Sequence, residues 1–160
     1  MRTIRCVERD ELEACLAVIR ESFATVAAEF DLTKENCPTH TSFMTIDKLQ
    51  WHWDNEYVMM GCFEDGKIIG YFSLSKKDDF TFELHNLAVL PAFRHGGIGG
   101  ELLAAAKEAA RKLGARKLTL DIIEEYTRLK KWYAHNGFMH TGTRKFDHLP
   151  FTAGFMECTL

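Results

Sequence analysis

The stretch AVLPAFRHGGIGGELL, residues 88–103, constrains this chain more than any other. A strand-like run ends at Leu90-Pro91, four glycines (Gly96, Gly97, Gly99, Gly100) surround Ile98, and an alanine-rich segment follows at once. That segment carries Ile98, Leu102, Leu103, Ala106, Ala109, Ala110 and Leu113 on one broad helical stripe, with Gly114 placed as a left-handed cap at its end. Arg116–Ile123 (RKLTLDII) then reads as a strand. A strand over Phe80–Leu90, this helix and the strand 116–123 make a βαβ unit, which requires a parallel pair in the sheet.

The rest of the chain reads as antiparallel strands and helices around that unit. Thr3–Val7 is a short first strand, and Asp10 is placed to cap a helix running to Glu29, with Leu12, Leu16, Ile19, Phe23, Val26 and Ala27 at helical spacing. Residues 31–41 (DLTKENCPTHT) show no period and read as a loop. Ser42 or Thr45 caps a second helix near Thr45–Asp54, which carries Trp51 and Trp53. Runs at Tyr57–Phe63 and Lys67–Leu74 flank Asp65-Gly66, a strong hairpin signal. In the third strand of this meander Phe80, Phe82 and Leu84 share one face while Glu83 and His85 share the other. A last helix near Glu125–Asn136 and strands at Phe138–Phe146 and Thr152–Leu160 complete the order βααβββαβαββ. The expectation is one mixed α/β domain over residues 1–160.

The glycine turn offers converging backbone N–H groups and the positive end of a helix to an anion. Two phosphate-binding designs fail on spacing. The fingerprint G-x-G-x-x-G, begun at Gly97, needs glycine where Leu102 stands, and a Walker loop is refused by Gly99-Gly100-Glu101. A third fits: Arg94-His95-Gly96-Gly97-Ile98-Gly99 matches [QR]-x-x-G-x-[GA] and resembles the pyrophosphate loop of the GNAT N-acetyltransferase superfamily. Asn86–Pro91 before it, Leu102-Leu103 after it, and Trp132-Tyr133-Ala134-His135-Asn136-Gly137-Phe138, similar to the family's [LW]-Y-x-x-x-G-F segment, extend the resemblance.

That resemblance implies a GNAT-like, mostly antiparallel mixed sheet with helices on both faces, and acetyl-CoA as co-substrate. It implies that backbone groups around Leu87, Ala88 and Val89 pair with the pantetheine arm. The pyrophosphate would rest on the loop of His95, Gly96, Gly97, Ile98, Gly99 and Gly100, with Arg94 as a fixed cation. Tyr133 would protonate the leaving thiolate after direct attack by a primary amine of a small molecule or peptide. Glu83, directly or through a water, or Asp121 would take the amine proton, with His85 as a possible relay. Tyr126 stands where the family commonly has a coenzyme-contacting Asn, and Leu129 where it has Ala, so the local contact differs; Tyr126 could stack on the coenzyme or bond to it. A non-catalytic acyl-CoA sensor is the competing reading, against which Tyr133 speaks.

Residues 31–41, the Trp51/Trp53 helix and the loop at His148–Phe151 are expected to wall the acceptor cleft, with Glu124 and Glu125 near it, where they favour a cationic acceptor or simply solvate a helix start. A net charge of −3 gives no support for nucleic-acid binding, and no apolar run reaches the length of a membrane span. Five scattered cysteines without C-x-x-C spacing read as reduced core residues of a cytoplasmic protein. His135, His140, His148 and Asp147 match no metal-ligand spacing. The last strands offer edges for a homodimer.

Overall fold

The computed structural model describes residues 1–160. Its elements are β1 (Arg2–Cys6), α1 (Leu12–Glu29), α2 (Ile46–Asp54), β2 (Val58–Glu64), β3 (Lys67–Lys76), β4 (Thr81–Val89), α3 (Ile98–Lys112), β5 (Lys117–Ile123), α4 (Thr127–His135), β6 (Met139–Lys145) and β7 (Thr152–Thr159). The expected order of elements holds. One seven-stranded sheet runs β1-β2-β3-β4-β5-β7-β6, antiparallel except between β4 and β5. The last hairpin folds so that β7 lies beside β5 and β6 forms the edge.

Local chemistry explains most boundaries. Asp65 and Gly66 both take positive φ (50° and 81°), the geometry a two-residue hairpin needs to match strand twist. The first helix starts differently from expectation. Glu8 and Glu11 form a reciprocal capping box around a short 3-10 turn at Arg9–Glu11, so Asp10 is not the cap. Thr45 caps α2 by accepting a bond from the Lys48 N–H at 3.3 Å. The stripe predicted for α3 is buried at Ile98, Leu102, Leu103, Ala106 and Ala110, while Leu113 lies past the helix end and is exposed. Gly114 takes φ 90°, as the cap requires. Leu102 and Leu103 are fully buried, each worth about 1.5–3 kcal/mol of apolar burial. Phe80 does not share the core face of Phe82 and Leu84: it precedes β4, is exposed, and carries the Arg116 guanidinium 4.5 Å from its ring centre.

Helices cover both faces. A Cβ on Gly70 would stand 2.8 Å from Leu102 Cδ1, so α3 packs on that side of β3 by close approach to bare backbone. The neighbouring Tyr71 is fully buried on the opposite side, beside Cys15 of α1. Cys15, Cys37, Cys62 and Cys158 are buried and unpaired, and burial pushes the Cys15 thiol up to about 12, so it packs as a neutral hydrophobe. Cys6 alone is exposed. No helix is long and apolar enough to cross a membrane.

On the buried side of α2, His52 stacks on Tyr57 with ring centres 4.3 Å apart, and its Nδ1 has no partner. Burial, with Lys48 and His85 nearby, pushes its imidazole down to about 4 from an ordinary 6.5. A group depressed in the folded state supports stability above its unfolded pKa and withdraws that support as pH falls through the folded value. Between pH 7 and 4, wild-type protein should therefore lose on the order of 2 kcal/mol more stability than His52→Phe, which keeps the stack. Urea unfolding of both across that range checks it, and equal pH slopes would contradict it.

Candidate active site

The parallel pair β4/β5 is short. Phe80 C=O accepts bonds from the N–H groups of Arg116 and Lys117 at 2.7 and 3.1 Å, and pairing then runs only from Thr81↔Lys117 to Glu83↔Thr119. β4 continues to Val89 and β5 to Ile123 without touching, so the sheet splits. β4 also changes register beyond the last pair. Between His85↔Ser73 and Ala88↔Tyr71 that strand advances three residues while β3 advances two, a bulge in which Asn86 takes φ 56°. The bulge turns Ala88 onto the face of Glu83 and His85, which strict alternation would have denied it.

A groove of about 800 Å³ occupies the split. Ser22, Phe23, Thr25 and Val26 of α1 line it from one face of the sheet; the start of α3 and Leu129, Trp132 and Tyr133 of α4 line it from the other. It therefore passes through the sheet between the parted strands. Of the residues singled out in the sequence, Glu83, Leu87, Ala88, Val89, Arg94, His95, Gly97, Ile98, Gly99, Gly100, Asp121, Tyr126 and Tyr133 all line it, and Gly96 adjoins it in the same turn.

At the glycine end, His95 takes φ 67° and Gly97 φ 85° on entering α3. Gly97 is the N-cap and no side chain caps the helix; the first helical bond is Glu101 N–H to Gly97 C=O at 3.1 Å. The N–H groups of Ile98, Gly99 and Gly100 thus lack helical acceptors. A Cβ at Gly97 or Gly100 would meet nothing within 4 Å, leaving room for an anion against the backbone, while Gly99 lies under Trp132. Arg94 lines the groove and is also bonded within the protein. Its guanidinium donates to Val89 C=O, Thr25 Oγ1 and Ser22 C=O at 3.2, 2.9 and 2.7 Å, so it straps α1 to the end of β4.

Tyr133 is buried against Trp132, which overlies Gly99, and against Phe138, with ring centres 5.0 and 5.4 Å away. Burial raises its phenol pKa, so it stays protonated through the neutral range. Glu83 lies 3.5 Å from Lys77 Nζ and 3.4 Å from His85 Nδ1. Asp121 is reached by solvent but sits in the concave wall, and this partial desolvation, with Glu83 nearby, raises its carboxyl pKa. Tyr126 precedes α4, its hydroxyl accepting from Arg128 at 3.0 Å and its ring tilted against Phe30.

Some expected wall residues lie elsewhere. Trp51 and Trp53 do not line the groove; Trp51 is exposed beside Tyr57, and Trp53 packs against the core. Leu32 and Cys37 join Ala27, Leu149 and Phe151 in a small separate core, leaving Thr41 as the one groove residue from the 31–41 loop. Glu124 is held by Lys130 and His140, and Glu125 accepts from Thr152 N–H at 3.1 Å, so neither faces the groove. Sequence reading passed over Ser22, Thr25, Asn86 and Arg128 as groove residues. Only Asn86 left a signal, because asparagine tolerates left-handed φ better than most residues.

Comparison with known proteins agrees with this architecture. Residues 25–138 match the model of the acetyltransferase (GNAT) family, and the chain belongs to that family. It is 34% identical over 82 residues to an uncharacterized N-acetyltransferase of Mycobacterium tuberculosis (51% of this chain, 53% of that one). It is 32% identical over 93 residues to an aminoalkylphosphonate N-acetyltransferase of Salmonella typhimurium (55% and 56%). The chain spans about half the length of the curated relatives it matches. In fold it superposes on the PaiA N-acetyltransferase of Thermoplasma acidophilum in complex with coenzyme A, at TM-score 0.81 and 22% identity, covering 100% of this chain and 99% of that one. The Escherichia coli ribosomal-protein-S18-alanine N-acetyltransferase follows at TM-score 0.77 and 18% identity, covering 99% and 94%.

The Arg94 strap predicts a stability effect separable from ligand binding. Arg94→Ala should lose about 1–3 kcal/mol, and Arg94→Lys should recover little, because a lone ammonium cannot reproduce the fork. Thermal unfolding without ligand reads this directly; an unchanged Tm for Arg94→Ala would contradict it.

Proposed function

We propose that this chain is an acetyl-CoA-dependent N-acetyltransferase that acylates a primary amine of a small molecule or peptide by direct attack. The observation that carries this reading is the split between β4 and β5, which joins a bare helix N-terminus to a buried phenol and two carboxylates in one groove. Coenzyme A fits the residues present: free N–H groups at Ile98, Gly99 and Gly100 suit its pyrophosphate, and the unpaired edge of β4 at Leu87–Val89 suits its amide-bearing arm. When bound, acetyl-CoA supplies a thioester with an electrophilic acyl carbon.

The chain's own groups then divide the work. Glu83 takes a proton from the ammonium form of the acceptor, directly or through a water, freeing the nitrogen lone pair. The nitrogen bonds to the acyl carbon, the carbon–sulfur bond breaks, and the sulfur leaves with its electron pair. Tyr133 donates its phenolic proton to that sulfur. The nitrogen, cationic once bonded, gives up its second proton, which returns through water to the phenolate of Tyr133. Burial holds Tyr133 in its protonated form, so the proton is there to be given. Asp121 is the second carboxylate available for the amine proton, on the far side of the split. Phe23, Val26 and Thr41 form the acceptor wall on the α1 face.

The test is thiol release from acetyl-CoA with a panel of primary amines: amino acids, a diamine, aminoalkylphosphonates and a peptide with a free N-terminus. Tyr133→Phe should lower kcat about 100-fold or more while keeping the stabilisation by acetyl-CoA, about 2.7 kcal/mol at 100 times Kd. Glu83→Gln should fall similarly, and more than Asp121→Asn. Binding of acetyl-CoA without turnover on any amine would favour the sensor, and undiminished turnover in Tyr133→Phe would remove the phenol from the mechanism.

A further inference from the structure

Glu83 is not alone in its setting. Antiparallel pairing of β3 with β4 sets Ser75 opposite Glu83 and Ser73 opposite His85. Ser75 Oγ lies 2.7 Å from His85 Nε2, and His85 Nδ1 lies 3.4 Å from Glu83 Oε2. One side of the imidazole rests on Tyr57, with ring centres 5.4 Å apart at 24°, and Tyr57 rests in turn on buried His52. The ring is therefore fixed in plane and in rotation. We propose that His85 is a positioning residue for Glu83, held in rotation by Ser75 and Tyr57 and in the Nδ1–H tautomer by the carboxylate beside it, rather than a carrier of the amine's proton. This rests on the reading of Glu83 as the base.

Two tautomers are open to a neutral imidazole, and the neighbours discriminate between them. With the proton on Nε2, the Nδ1 lone pair would face the Glu83 carboxylate, setting two acceptors against each other. With the proton on Nδ1, the N–H dipole sits 3.4 Å from the carboxylate, a charge–dipole contact longer than a hydrogen bond, and the Ser75 hydroxyl turns to donate to Nε2. A serine hydroxyl can do either, so the carboxylate decides. The charged and titratable groups facing His85 are Glu83 on its own strand, Lys77 after β3, and Lys48 and His52 on α2. Asp121, across the split, acts on Glu83 from β5. Burial and the two lysines hold the imidazole below its ordinary pKa against the opposing pull of Glu83, so the ring is neutral at neutral pH. Lys77 holds the other oxygen of Glu83, at 3.5 Å. A carboxylate held from both sides keeps one orientation at the edge of the split, which a base acting on a positioned amine requires.

Long-range nitrogen–proton NMR of the 15N-labelled protein at neutral pH reads the tautomer directly, with His85 assigned by its disappearance in His85→Asn. The expected spectrum has protonated Nδ1 and bare Nε2, in the wild type and in Ser75→Ala alike. A wild-type ring protonated on Nε2 would overturn the proposal, whether or not any variant folds. Turnover of acetyl-CoA with the best amine of the panel supplies the second reading. His85→Leu should lower kcat roughly tenfold or more with KM for acetyl-CoA unchanged. His85→Asn, which keeps an N–H near Nδ1 but cannot relay a proton, should recover most of it. Equal loss in both variants would mean relay and overturn positioning. Failure of the underlying reading looks different: Glu83→Gln would turn over at the wild-type rate while the tautomer stayed as expected, leaving His85 no base to position.

Discussion

Everything about this site depends on two parallel strands that stop pairing. β4 and β5 hold register for three residue pairs and then diverge, and no backbone partner replaces the lost ladder. An unpaired strand edge inside a domain is costly unless something else satisfies it, since buried backbone groups are nearly always bonded. Here the edge faces a groove instead of protein. The single extra residue at Asn86 follows shortly after the last pair, and its left-handed backbone is local strain that the surrounding sheet holds in place.

The rest of the architecture keeps the split open and furnished. α1 spans it on one face, strapped to the end of β4 by Arg94 and to α4 by the Glu29–Arg128 ion pair. α3 begins at the split on the other face, with bare N–H groups where a strand-to-helix turn must be glycine-rich to leave room. α4 brings Tyr133 to the same place. The result is a groove lined about equally by apolar and polar residues, with its polar groups converging, a form small-molecule sites take. The positive end lies at the glycine turn and the carboxylates at the far end, so the groove is electrically graded along its length.

Much of this was legible in the sequence because the signals were local. The glycine run before the Leu102/Leu103 stripe gave the α3 start, Asp65-Gly66 gave the hairpin, and Gly114 the helix end. The element order followed, as did the residues of the glycine turn. What could not be read depended on partners distant in the chain. Arg94 stands in the register of a phosphate ligand, and its acceptors on α1 lie some seventy positions earlier. Glu124 and Glu125 were close to the site in sequence but are spent on Lys130, His140 and the Thr152 backbone. The tryptophans of α2 are aromatic enough for a cleft wall, but the helix turns them to the surface and the core. The bulge at Asn86 carries no glycine or proline to mark it in the sequence.

The central claim is that the split between β4 and β5, with the bare start of α3, is where coenzyme A lies. A backbone NMR titration of the 15N-labelled protein with coenzyme A tests it most directly. The account predicts large amide shifts at Gly96–Gly100 and along Leu87–Val89, smaller ones around Tyr133, and none at the edge strand β6. Saturable shifts centred elsewhere, or no shifts at millimolar coenzyme A, would contradict it.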